Sequence, residues 1–175
     1  MFDVKLITDV SSELITTSEV KTHLKITYTD DDTYIGTLIT KARKLIEGYC
    51  NISIGSQERE WIVDAIGYTE YSIPYGPVIT VDDVLEKTDY ATYESIVLHT
   101  AYDVDGGHDL TFTPFYAGRF KVQYTTGFTT LPAQLKQGWL MQCAYMYENR
   151  GDEGKSGICP EAKDYLNLSK NYSWE

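Results

Sequence analysis

Apolar residues recur at three- and four-residue intervals along one stretch of the chain: Ile35, Leu38, Ile39, Ala42, Leu45, Ile46 and Tyr49. That spacing predicts an amphipathic helix over about residues 30–50, with Lys41, Arg43, Lys44 and Glu47 on its polar side. Asp30, Asp31 and Asp32 stand at its start, where carboxylates suit the positive end of the helix dipole. A metal site there is the poorer reading, because consecutive residues on a helix point in different directions. Asn51 is placed to end the helix, since Asn tolerates left-handed backbone. Upstream, Thr16 and Glu19 have the spacing of a capping box, which predicts a short helix over about 16–26 carrying Val20 and Leu24 on one side. A third helix is predicted over about 131–150, opened by Thr130 and Pro132. Leu135, Trp139, Cys143 and Met146 form one apolar row on it, and Leu140, Ala144 and Tyr147 the next.

Between the second and third helices the pattern changes. Over about residues 57–128 the chain shows short runs rich in β-branched and aromatic residues: Trp61-Ile62-Val63, Tyr71-Ser72-Ile73, Val78-Ile79-Thr80-Val81, Ile96-Val97-Leu98, Leu110-Thr111-Phe112 and Phe120–Tyr124. Pro74-Tyr75-Gly76-Pro77 reads as a stiff corner, with turns expected at Asp105-Gly106-Gly107 and Ala117-Gly118. Residues 1–15 are weakly patterned and are expected to form an N-terminal arm. Residues 151–157 are Gly-rich and read as a flexible loop, and Pro160 opens a last helix-like stretch. The predicted fold class is α+β: a mainly helical core of three to four helices with a small antiparallel β-unit inserted. The predicted organisation is an arm over 1–15, a main domain over 16–150 and a loop plus C-terminal segment over 151–175.

Composition narrows the function. The 175 residues carry 15 Lys and Arg against 26 Asp and Glu, a formal charge of −11. So acidic a chain has no electrostatic route to wrapping DNA, although DNA could slide past it. Tyr occurs 15 times, which suits either a strand-rich core or partner surfaces. Cys50, Cys143 and Cys159 are odd in number and form no C-x-x-C pair, so free buried thiols in a reducing cytoplasm are expected. The N-terminus does not read as a signal peptide and no apolar run is long enough to span a membrane.

The search for chemistry finds weak candidates. His99 and His108 flank one hairpin and, with Asp103, Asp105 or Asp109, could approach a metal, but turn residues at strand ends explain them equally well. Asp103-Val104-Asp105-Gly106-Gly107 mimics the start of a calcium loop, and the register then fails for lack of a Glu at the twelfth position. Glu58 and Glu60 could do acid–base work, yet alternate as an exposed strand face does. No nucleophile elbow, phosphate loop or dinucleotide fingerprint is present. The sequence therefore predicts no enzyme, no catalytic or metal residues and no cofactor.

The order of features is more specific than any one of them. The capped helix Ile15–Ile26 precedes Asp30-Asp31-Asp32, then the long helix ending Ala42–Cys50. Next come Ile73-Pro74-Tyr75-Gly76-Pro77-Val78, Val122–Phe128, Leu131–Lys136 and the closing Ala144-Tyr145-Met146-Tyr147-Glu148-Asn149-Arg150. Over about residues 15–150 this set resembles the head–tail connector (adaptor) proteins of tailed bacteriophages. Lys25 stands where that family often shows Arg, and the tail after Gly151 matches no family pattern.

The resemblance implies a structural virion protein at the neck, made in the host cytoplasm. It would form a ring of its own copies, commonly twelve-fold, beneath the portal protein. The ring would extend the channel for double-stranded DNA, without sequence-specific binding, and join a tail or stopper protein. Ile158, Tyr165, Leu166, Leu168, Tyr172 and Trp174 then become the candidate portal-docking residues, and the alternative is that their helix covers the domain's own core. Rival readings are another neck component, such as a stopper or tail-completion protein, a hydrolase using His99 or His108, and a ligand-binding module lined by Trp61, Tyr71 and Tyr75.

Overall fold

A computed structural model describes residues 3–66, 70–96, 102–105, 109–112, 117–152 and 157–170. The fold is α+β and consists of two units, one drawing on Met1–Val10 and Ser56–Phe128, the other on Ser11–Gly55 and Thr129–Ser173.

The helical unit contains α1 (Thr17–Leu24), α2 (Asp32–Cys50), α3 (Ala133–Glu148) and α4 (Pro160–Lys170). Thr16 caps α1: its hydroxyl accepts from the Glu19 amide at 3.2 Å, and the Glu19 carboxylate accepts from the Thr16 amide at 2.7 Å. Two orphan amides of the first turn are thereby satisfied. Along α2, Ile35, Leu38, Ile39, Ala42, Ile46 and Cys50 are buried, and full burial of each large aliphatic contributes about 1.5–3 kcal/mol. Asn51 ends the helix in the left-handed region at φ 61°. From α3, Trp139 enters this core and its indole donates to the Ile39 carbonyl at 3.1 Å.

The polar side of α2 is not all solvated. Arg43 and Glu47, expected to face water, are both buried. Arg43 donates through Nε to Glu13 at 2.9 Å and through Nη1 to both oxygens of Glu47 at 3.1 Å. Glu13 also accepts from the Thr40 hydroxyl at 2.8 Å, and Glu47 from the Ile54 amide at 2.9 Å. The segment before α1 and the chain leaving α2 both lie over this face, so charges that helical periodicity assigns to solvent are desolvated and paired.

The β-rich unit has two antiparallel sheets. The first contains β1 (Asp3–Thr8), β2 (Gln57–Ala65), β4 (Val78–Lys87), β5 (Tyr93–Ser95) and β8 (Gly118–Thr126), in the order β1-β2-β8-β4-β5. The second contains β3 (Glu70–Ser72), β6 (Tyr102–Asp105) and β7 (Asp109–Phe112), in the order β3-β7-β6. Strand β8 is central and strictly alternating: Phe120, Val122, Tyr124 and Thr126 are buried, with Lys121, Gln123 and Thr125 on the other face. Trp61 and Val63 of β2 join that core, and the Phe112 ring of the second sheet lies 4.2 Å from Phe120. The Pro74–Pro77 corner is tied to the end of β8 and to the residue after it, with the Thr126 hydroxyl shared between the Tyr75 and Pro77 carbonyls. Tyr124 donates to the Pro74 carbonyl at 2.8 Å, Thr126 to the Pro77 carbonyl at 2.8 Å, and the Gly127 amide to the same carbonyl at 2.8 Å.

Several expectations are corrected. Residues 3–8 of the expected arm form an edge strand, with Val4 opposite Trp61 and Lys5 opposite Glu60 of β2. An edge strand is held by backbone bonds to one neighbour, so it needs little apolar alternation, and Leu6 and Ile7 stay exposed. Gly118, expected in a turn, instead begins β8 opposite Ala65. Strand β5 lies at Tyr93–Ser95, ahead of the expected run at Ile96. Val97, Leu98, Gly106 and Gly107 lie outside the described residues. Strand β6 adds a partner for β7 that the pattern did not announce.

The buried Arg43 group predicts an asymmetric mutational response. Arg43→Met removes the cation that pairs with both carboxylates and is expected to cost about 3–5 kcal/mol in urea unfolding. Changing Glu13 and Glu47 to Gln in the same chain should return much of that loss; no recovery would contradict this electrostatic account.

Candidate interaction surfaces

The N-terminus of α2 and the C-terminus of α3 meet at one carboxylate. Asp31 occupies the N-cap position of α2 but makes no side-chain cap bond. Its carboxylate instead accepts from the Tyr147 hydroxyl at 2.5 Å and from Arg150 Nη2 at 3.2 Å. The Tyr28 hydroxyl lies 2.9 Å from that of Tyr147. The Arg150 guanidinium also sits 4.4 Å from the Tyr147 ring centroid and 4.9 Å from that of Tyr34. Asn149 closes α3 by donating its backbone amide and its side-chain amide to the Tyr145 carbonyl, at 3.1 and 2.8 Å. The Tyr147-Glu148-Asn149-Arg150 run thus ends one helix and clamps the start of another. The Tyr147 hydrogen bond, then Arg150, holds the Asp31 carboxyl below its ordinary range. The same bond pushes the Tyr147 phenol up.

Beside this clamp is a cavity of about 520 Å³ between α2 and the end of α3. Tyr34, Leu38, Leu45 and Met146 give it apolar walls. Lys41, Lys44 and Arg150 also line it, and Asp152 is the one carboxylate in the lining. In a chain of charge −11 three cations thus converge at one place. Met146 was expected in the buried row of α3, but Gly138 and Gln142 are buried in that helix while Met146 is half-exposed. The reason is α4. Leu166 packs so closely on Gly138 that a Cβ there would come within 2.8 Å of it. Gln142 donates to the Gly157 carbonyl at 3.1 Å and accepts from the Cys159 amide at 2.9 Å, fixing the approach to α4.

The candidate docking residues separate accordingly. Leu166 is fully buried in the helical unit and Ile158 is half-buried, whereas Tyr165 and Leu168 point outward at 38% and 58% exposure. Tyr172 and Trp174 lie outside the described residues.

The residues of the rival readings are placed differently. Trp61 is fully buried in the β-rich core. Tyr71 is half-buried, stacks edge-on to Phe112 and accepts from the Ile66 amide at 2.9 Å. Tyr75 lies under the Arg59 guanidinium at 4.1 Å. His23 is exposed on α1; His99 and His108 lie outside the described residues. Among the described residues no group of three His, Cys, Asp or Glu side chains is placed to hold a metal ion. Burial raises all three thiols, Cys50 to about 11 and Cys143 to about 12.

Two measurements check these placements. Leu166→Ala should destabilise the protein by about 2–5 kcal/mol, as other buried Leu truncations do, while Tyr165→Ser and Leu168→Ser should each stay within about 0.5 kcal/mol in urea unfolding. The second is pH-dependent. Lys136, then Thr16, holds the Glu19 carboxyl down from its ordinary 4.5 to about 2, and Asp31 is lowered too. Over that interval the unfolded chain binds more protons than the folded one, so stability falls with falling pH. The melting temperature should be level above about pH 5, where both carboxyls are ionised in either state. It should then drop toward pH 2, and the drop should be smaller in Glu19→Gln and Asp31→Asn; identical profiles in all three proteins would contradict it.

Comparison with known proteins gives this architecture a context. No curated protein matches the chain, but seven chains of solved structures do. A chain from the neck of an empty gene transfer agent (GTA) particle, computed with C6 symmetry, superposes with a TM-score of 0.75 at 18% identity, covering 95% of this chain and 94% of that one. A chain from the virion of the native particle gives 0.74 at 19% identity, with 94% and 93% covered. A chain from the native neck, computed with C12 symmetry, gives 0.72 at 19%, with 95% and 94% covered. These likenesses establish the fold. The model of the family described as "Head completion protein" matches residues 13–159, from the segment that supplies Glu13 to the start of α4. The chain therefore belongs to the head completion protein family, structural components of the neck between head and tail.

Proposed function

We propose that copies of this chain form a ring, twelve-fold, beneath the portal protein, where they extend the DNA channel and receive the tail or a stopper protein. The observation that carries this reading is the family match over residues 13–159. The likeness in fold to neck chains of particles treated with six- and twelve-fold symmetry supports the ring. A ring built from one chain needs two different complementary patches on each copy. The protein acts in the virion neck after assembly in the host cytoplasm, and its work is joining and lining, with no bond-making step. The charge of −11 suits a conduit, since a wall that repels phosphate does not hold DNA in transit.

Tyr165 and Leu168 are the residues of α4 left to meet the portal, because Leu166 is committed to the helical core. The test is electron microscopy of the protein mixed with its cognate portal. Ring density on the portal is expected for the wild type. The double variant Tyr165→Ser with Leu168→Ser should keep its melting temperature and lose that density. Density found on isolated tails and not on portals would make the chain another neck component, such as a tail-completion protein.

A further inference from the structure

We propose that Tyr90, at the tip of the β4–β5 hairpin of one copy, docks in the Lys41–Lys44–Arg150 cavity of a second copy. This inference rests on the ring reading and names its contact.

The knob is unusual for its chemistry. Tyr90 is 92% exposed, more than any other large apolar or aromatic side chain described. Its turn is well formed: the Thr88 amide donates to the Thr92 carbonyl at 3.1 Å, the Thr92 amide to the Asp89 carbonyl at 3.3 Å, and the Tyr90 amide to Asp89 Oδ1 at 2.6 Å. The ring is therefore presented by fixed backbone, so little ordering is lost when it binds. Lys87 Nζ lies 5.7 Å from the ring centroid, at the outer limit for a cation–π contact. Carboxylates flank the aromatic group, Asp89 beside it and the Glu86–Glu94 pair directly opposed across β4 and β5. Like charges facing each other across a ladder disfavour the isolated hairpin, and a cationic partner relieves them.

The cavity is complementary on each count. It has the apolar walls and the room an aromatic side chain needs, and Lys41, Lys44 and the Asp31-paired Arg150 line it beside Asp152. A second copy is the occupant that charge favours. An acidic chain repels itself over most of its surface, so self-association is directed to the place where its own cations converge. Knob and cavity lie in different units of the chain. Their union joins two different patches of the chain, as each step around a ring requires.

The test uses full-length single-cysteine additions, since Cys50, Cys143 and Cys159 are buried. Ala91→Cys, next to the intact Tyr90, is mixed with a mass-tagged Leu45→Cys chain and, separately, with Lys163→Cys, an exposed site on α4. Mild oxidation should link Ala91→Cys to Leu45→Cys about tenfold faster than to the control, as an effective concentration in the millimolar range implies. Adding Lys41→Glu with Lys44→Glu to the Leu45→Cys chain should abolish the preference, and Asp89→Lys with Glu94→Lys in the Ala91→Cys chain should restore it. Wild-type protein at the same concentration, alone and on portals, is imaged in parallel. Rings without the preferred link would overturn this contact, leave the ring reading standing and assign the cavity to a portal or tail partner. Neither rings nor the link would overturn both.

Discussion

One carboxylate ties the start of α2 to the end of α3 in the helical unit. Asp31 forgoes the ordinary N-cap bond to its own helix and receives Tyr147 and Arg150 from the end of α3. The ion pair itself is half-exposed and worth little energy on its own. Its effect is geometric: it fixes where α3 stops relative to where α2 starts, and it orients the guanidinium over two tyrosine rings. The cavity walls come from those same two helices, so the position of Lys41, Lys44 and Arg150 around it follows from this tie.

The deeper polar group in the same unit works differently. Arg43 is desolvated, and its hydrogen bonds to Glu13 and Glu47 offset part of the burial cost. Glu13 precedes α1, and Glu47 in turn holds the amide of Ile54 after α2. One guanidinium thus holds a segment ahead of α1 against α2, next to a carboxylate that fixes the chain leaving it. Charge in this protein is used for specification in the interior and, in our reading, for attraction between copies at the surface.

The β-rich unit supplies the opposite requirement, a stiff frame for projecting elements. Strand β8 pairs along its length with β2 and over most of it with β4, and the Pro74–Pro77 corner is bolted to it by side-chain and backbone bonds. A hairpin extended from β4 inherits that rigidity. This is why a fully solvated tyrosine at its tip reads as a presented group and not as a floppy loop residue.

Much of the fold was legible in the sequence because its signals are local. The capping box of Thr16 and Glu19, the periodicity of α2, the stop at Asn51 and the alternation of β8 are set by neighbours a few residues apart, and each element forms accordingly. Strand β1 was not legible, because an edge strand is stabilised by bonds to a distant partner and carries no pattern of its own. Nor were the fates of Arg43, Gln142, Met146 and Leu166. Helical periodicity states which residues share a face, but not what will cover it. Tertiary contacts from Glu13, from the segment at Gly157–Cys159 and from α4 made that decision, burying charged and polar groups that could be partnered and leaving an apolar side chain open beside three cations.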